Sequence, residues 1–262
     1  VARVVNVGDL VRAMEAIAPL RFAAPWDNVG LIVGDEASPL ARVLLTIDCT
    51  SDVLEEARRE RADAIVSYHP PIFAAVKRLL GGSIAHDAAR AGIAIHSPHT
   101  ALDVADGGTN DVLADALSMI ARKPLRPLET AGAEGRGMGR VGTLDAASVP
   151  MLVGRIKRAL SIAHVLVAGR IDRDVTRAAV CAGSGGDLLG DAIESGAELF
   201  LTGELRHHDA LRAAAAGLTV VCTLHSASER AALLALEGRL AERLAGVSII
   251  RSRVDREPFV FD

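Results

Sequence analysis

Two parts of this chain carry the same order of elements, and that repetition constrains the fold more than any single motif. At a shift of 134 positions, RADAIVSYHP (61–70) falls on SGAELFLTGE (195–204). Under roughly the same offset, RVLLTIDCTSDVLEEA (42–57) meets TRAAVCAGSGGDLLGDA (176–192). GIAIHSPHTALD (92–103) aligns more loosely with GLTVVCTLHSASE (217–229). Identity is thin, but the succession of strand, small-residue turn, helix, strand, helix, strand is shared. Short β-branched runs alternating with helical patterns specify α/β layers, and their recurrence predicts an internally duplicated α/β unit. RKPLRPLETAGAEGRGMGR (122–140), rich in Pro, Gly and charge, is the expected boundary or mobile loop between the halves.

Open α/β sheets place their sites at the carboxyl ends of strands. Three apolar runs of this chain end there on polar residues: IVSYHPPIF delivers Tyr68 and His69, GIAIHSPHTALD delivers His99 and Asp103, and TVVCTLHSASE delivers His225 and Glu229. Pro70 and Pro71 stop the first strand, so Tyr68 and His69 sit at its exit. A helix starting near Ser226 puts His225 and Glu229, four apart, on one face. A mixed imidazole and carboxylate set suits zinc, iron or manganese. An i, i+4 His/Glu pair alone is weak, since many helices carry one by chance; three such exits in one chain make a shared metal site the stronger reading.

Composition narrows the alternatives. The net charge of −4 offers no basic field for nucleic acid or an anionic membrane, and 3% aromatic residues leave few rings to stack on bases. The apolar runs are too short to span a bilayer, and the first residues read as strand then helix rather than a secretory signal. Cys49, Cys181 and Cys222 are scattered in or beside strand patterns, as buried thiols of a cytoplasmic protein would be. GSGG (183–186) matches no Walker or dinucleotide fingerprint and reads as a tight strand-to-helix turn before it reads as a phosphate cradle. His207 and His208 point about 100° apart on a helix, which favours Thr202, Glu204 and one histidine lining the main site over a second metal centre. His86 and His164 read as ordinary histidines. The chain has no GxSxG elbow for a serine triad.

PWDNVGLIVGD, SYHPPIF, HTALDVADGGTNDVLA, TGELRHHDAL and LHSASER, in this order and spacing, resemble the NIF-three-like family, often labelled GTP cyclohydrolase I type 2. The resemblance covers essentially the whole chain. It implies a two-domain fold with a duplicated unit, a toroidal homohexamer, and a dinuclear metal centre in the interdomain cleft. The expected division is a discontinuous first domain at 1–125 plus 226–262 and a second at 126–225, with no inserted third domain. Carried over position by position, the metal ligands are His69, Asp103, His225 and Glu229, with Tyr68 where the family usually has a further histidine, and His99 as an acid–base group above the metals. A neutral phenol is a poor ligand, so one or two divalent ions are expected per chain. The implied activity is hydrolysis of a small, nucleotide-like substrate by metal-activated water; the alternative is a non-catalytic metal-binding hexameric scaffold or adaptor.

Overall fold

The computed structural model describes residues 4–130 and 132–260. In chain order the elements are α1 (Val7–Ile17), β1 (Gly30–Val33), β2 (Arg42–Thr46), α2 (Ser51–Arg59), β3 (Ala64–Ser67), α3 (Ile84–Ala91), β4 (Ala94–Ser97), α4 (His99–Val104), α5 (Thr109–Asp115), β5 (Ile120–Pro127) and β6 (Gly137–Ser148). They continue with α6 (Val149–Leu160), β7 (Leu166–Ala168), β8 (Asp174–Ser184), α7 (Leu189–Glu194), β9 (Leu199–Glu204), α8 (His207–Ala215), β10 (Thr219–Cys222), α9 (His225–Arg243) and β11 (Ser248–Arg251). The chain divides into two compact units. One ends at Ala105 and resumes over Leu233–Pro258; the other spans Asp106–Ala232 and takes in Phe259 and Val260.

The first unit holds a sheet in the order β1-β4-β3-β2-β11, parallel except for β1 on its edge. Its strands are continuous apolar runs because both faces are covered. Val43, Leu45, Ala64 and Val66 enter one core with Leu10 and Met14 of α1, while Leu44 and Ile65 enter the other with Val53 and Ala57 of α2. Each fully buried Leu or Ile stabilises the unit by roughly 2 kcal/mol. Asn6 and Asp9 close α1 with reciprocal bonds between side chain and backbone N–H, both 3.0 Å. Thr50 caps α2 by accepting from the Val53 N–H at 3.3 Å.

The second unit repeats the arrangement. Its sheet runs β5-β6-β8-β9-β10-β7, with β8, β9 and β10 parallel and β7 antiparallel on β10. The order β7-β10-β9-β8 is that of β1-β4-β3-β2, each strand with the same sense. This is the duplicated α/β unit expected from the sequence. Leu199 and Leu201 face one core, and Phe200 the other.

Two expectations need correction. The 122–140 stretch is not a linker: β5 and β6 pair antiparallel, Ile120 opposite Thr143 and Pro127 opposite Gly137. Pro124 and Pro127 are tolerated because β5 is an edge strand, paired on one side only. The division of the units accordingly falls after Ala105 and Ala232 rather than at 125 and 225. Leu113, Leu117 and Met119 are drawn into the core around Val180 and Leu201, and the buried Asn110 accepts the Ala182 N–H at 2.9 Å. Among the described residues no helix is long and apolar enough to cross a membrane.

His96 on β4 is 1% exposed, and neither ring nitrogen has a hydrogen-bond partner. Burial pushes its pKa down to about 4, so it is held neutral. The unfolded chain takes up this proton near pH 6.5 while the folded protein does not until near pH 4. Stability is therefore complete above the unfolded value and falls as pH drops between the two, by up to about 3 kcal/mol. His96→Leu is expected to flatten this acid limb in urea melts run from pH 7 to pH 4.

Candidate metal and acid–base site

The first unit assembles four of the expected residues at the exits of β3 and β4. Backbone bonds set the β3 exit: the Tyr68 and His69 N–H groups donate to Thr46 O and Ile47 O at 2.9 and 3.0 Å. Ser97 Oγ donates to the Tyr68 carbonyl at 2.8 Å and Ser67 Oγ to that of His69 at 2.7 Å. Tyr68 is 1% exposed, and its hydroxyl donates to Asp103 Oδ1 in a short bond. The phenol orients the carboxylate through this bond. His69 directs Nδ1 at Asp48 Oδ1, 2.8 Å away.

His99 and Asp103 do not end a strand, as expected, but lie on α4, which opens immediately after Pro98. Four residues apart, they share a helix face. His99 is held at φ +26°, a conformation L residues rarely adopt and one that costs roughly 1–3 kcal/mol. Its Nδ1 lies 2.8 Å from Asp27 Oδ1. Burial pushes the Asp27 carboxyl up, but hydrogen bonds from His99 and Thr100 outweigh it and hold the group below the usual carboxylate range. The His99 ring stands edge-on to those of His69, Tyr68 and Trp26, with centroids 5.3, 5.9 and 6.0 Å away.

The second unit presents a matching pair after β10. Leu224, at φ +76°, turns the chain into α9, which begins on His225 as the Ser-rich sequence predicts. His225 Nδ1 contacts Glu204 Oε1 at 3.0 Å, and Nε2 lies 3.3 Å from Glu229 Oε1. With the Nδ1 proton on Glu204, Nε2 and the Glu229 carboxylate converge as two electron-pair donors, an arrangement that a shared cation satisfies. Glu229 is 3% exposed. Ser228 Oγ locks the turn by donating to His225 O at 2.7 Å and accepting the Gly183 N–H at 2.8 Å.

That last contact explains the GSGG segment. A Cβ on Gly183, at φ +64°, would stand 2.7 Å from Glu229 Oε1 and 3.3 Å from His225 Nε2. One on Gly185 would strike Thr202 Oγ1 at 2.4 Å. The glycines admit backbone beside the His225–Glu229 pair, in keeping with the tight-turn reading.

The sequence places Tyr68, His69, His99, Asp103, His225 and Glu229 at strand exits; in the structure Tyr68 and His69 follow β3, whereas His99 and Asp103 lie on α4 and His225 and Glu229 on α9. Glu204, expected to line the site, holds His225. His207 and His208 are exposed, stack on each other at 5.3 Å, and belong to no ligand set of three among the described residues. His86 forms a local pair with Asp87 at 2.7 Å. Asp27 and Asp48 are site residues that the sequence did not single out, although Asp27 lies within the PWDNVGLIVGD motif. Cys49 and Cys222 offer no thiolate: burial first, then nearby carboxylates, push Cys49 up to about 12, and burial lifts Cys222 to about 11.

Residues 5–258 match the profile of the Duf34/NIF3 (NGG1p interacting factor 3) family. NIF3-like protein 1 of Drosophila melanogaster is 35% identical over 268 aligned residues, covering 97% of this chain and 89% of that protein. A GTP cyclohydrolase 1 type 2 homolog of Clostridium perfringens is 31% identical, covering 98% of this chain and 99% of that one. A Bacillus cereus protein related to NIF3 superposes over the full length of both chains with a TM-score of 0.91 at 21% identity, a likeness of fold alone. A profile running almost from end to end, and relatives aligned along nearly their whole length, establish that this chain belongs to the Duf34/NIF3 family.

Proposed function

We propose that this chain is a metal-dependent hydrolase of a small, nucleotide-like substrate. His69, Asp103, His225 and Glu229 hold a divalent ion, and His99 moves the proton. The observation that carries the metal reading is the state of His69 and His225: each has Nδ1 on a carboxylate, which leaves Nε2 as the electron-pair donor and raises its basicity. Asp103 and Glu229 add hard oxygen donors, and such a mixed set suits zinc, iron or manganese. When bound, the ion supplies Lewis-acid activation of a water or substrate oxygen.

The chain's own part is to orient these donors and to pass a proton through His99, with Nδ1 on Asp27 and Nε2 open for exchange. Tyr68 acts on Asp103 through its O–H and does not add a fifth donor. The choice of a nucleotide-like substrate rests on the family and on the name of the Clostridium relative. The same kinship supports a toroidal homohexamer as the working assembly, for which native mass spectrometry should return six chains.

His225→Ala and Asp103→Ala are expected to lower copurified metal more than about tenfold and to abolish hydrolysis, with the far-UV spectrum unchanged. Full turnover by metal-stripped protein would sink the reading. Tyr68→Phe is expected to cost about 1–3 kcal/mol in a denaturant melt, since a buried carboxylate loses its donor, while the metal content per chain stays the same. A drop from two ions to one would show instead that the phenol oxygen is a ligand.

A further inference from the structure

We propose that Asp27 is the positioning residue for His99, holding the imidazole with its proton on Nδ1 and its electron pair on Nε2 before any substrate arrives. The inference rests on His99 being the proton-transferring group, and it gives that residue a partner 72 positions away. The Asp27 side chain is 0% exposed. Its Oδ1 accepts from the Asn28 N–H at 2.8 Å and faces His99 Nδ1 at the same distance. Its Oδ2 takes the Thr100 N–H at 3.1 Å and the Thr100 hydroxyl. The Thr100 hydroxyl is itself pinned, because its oxygen accepts the Ala24 N–H at 2.9 Å and its proton is committed to Asp27.

A carboxylate held by three other donors can only accept from the imidazole, so the ring proton belongs on Nδ1. His99 Nε2 makes no hydrogen bond among the described residues, and the side chain is 14% exposed, which leaves that nitrogen reachable. The rings of Trp26, Tyr68 and His69 fix the imidazole plane edge-on. Asp27 itself is no metal donor, since both its oxygens are committed. During hydrolysis the attacking water loses one proton to Nε2 as its oxygen bonds to substrate. The imidazolium then gives that proton to the leaving group, and Nδ1 keeps its own throughout. Asp27 also steadies the transient imidazolium.

The test is Asp27→Asn, which preserves shape. The amide oxygen keeps the two Thr100 donors, and the amide nitrogen, left opposite His99 Nδ1 and the Asn28 N–H, can pair with the imidazole only by donating, which moves the ring proton onto Nε2 and removes the base. Long-range 1H–15N NMR on the full-length, zinc-loaded protein reads the tautomer without any turnover. The expected result is Nδ1–H in the unsubstituted protein and Nε2–H in Asp27→Asn, with hydrolysis falling on the order of 10²- to 10⁴-fold and metal content unchanged. A proton on Nε2 in the unsubstituted protein overturns the proposal even if the variant fails to fold. So does an unchanged tautomer in the variant, or a flipped tautomer with full turnover. Failure of the metal reading is separate: it appears as activity surviving metal removal and leaves the tautomer result standing.

Discussion

A histidine whose Nδ1 is bonded to a carboxylate has only Nε2 left to offer, and the three histidines of the candidate site share that state with His86, which pairs with Asp87. Asp48 takes His69, Asp27 takes His99 and Glu204 takes His225. The carboxylate side chains differ in exposure: 0% for Asp27, 44% for Asp48 and 53% for Glu204. Exposed charge pairs are worth only about 0–1 kcal/mol, so His69 and His225 are aimed but can still adjust. His99 is tied to a fully enclosed carboxylate, where the same bond resists water and salt. One geometric device thus yields two adjustable imidazoles and one rigid one.

The frame that presents these groups is built twice. In each unit the third parallel strand feeds a helix whose first residue is a histidine with a carboxylate four positions on: His99 and Asp103 on α4, His225 and Glu229 on α9. In each, a residue at or before that histidine has positive φ, which turns the strand sharply into the helix. Strain of this kind persists only where neighbouring bonds enforce it. Here Thr100 and Asp27 enforce one turn, and Ser228 with the Gly183 backbone enforces the other.

Much of this was legible in the sequence because it is local. The period of the apolar runs located β3, β4, β9 and β10, and the small polar residues after His225 announced the start of α9. The tethering carboxylates were not legible. Asp27 and His99 are separated by 72 positions, Asp48 and His69 by 21, and a lone aspartate in a turn carries no periodic signal. HTALD was read as a strand exit because the apolar run continues through it, whereas Pro98 ends the strand and α4 begins. The 122–140 stretch misled for the opposite reason: its prolines look like punctuation, but they sit in the outermost strand of a sheet, the one place where a strand tolerates them.

Those prolines bear on what the second sheet can do in company. An outer strand with open N–H and C=O groups is a template on which another chain can lengthen the sheet, by misassembly or aggregation. At one margin, β5 places Pro127, which has no N–H to offer, on its outer side, and its Arg122 and Arg126 are engaged by Asp115 and Asp191. At the other margin, β7 has three residues, too few to register a partner firmly. Both outer strands of this sheet are thus poor templates for its extension.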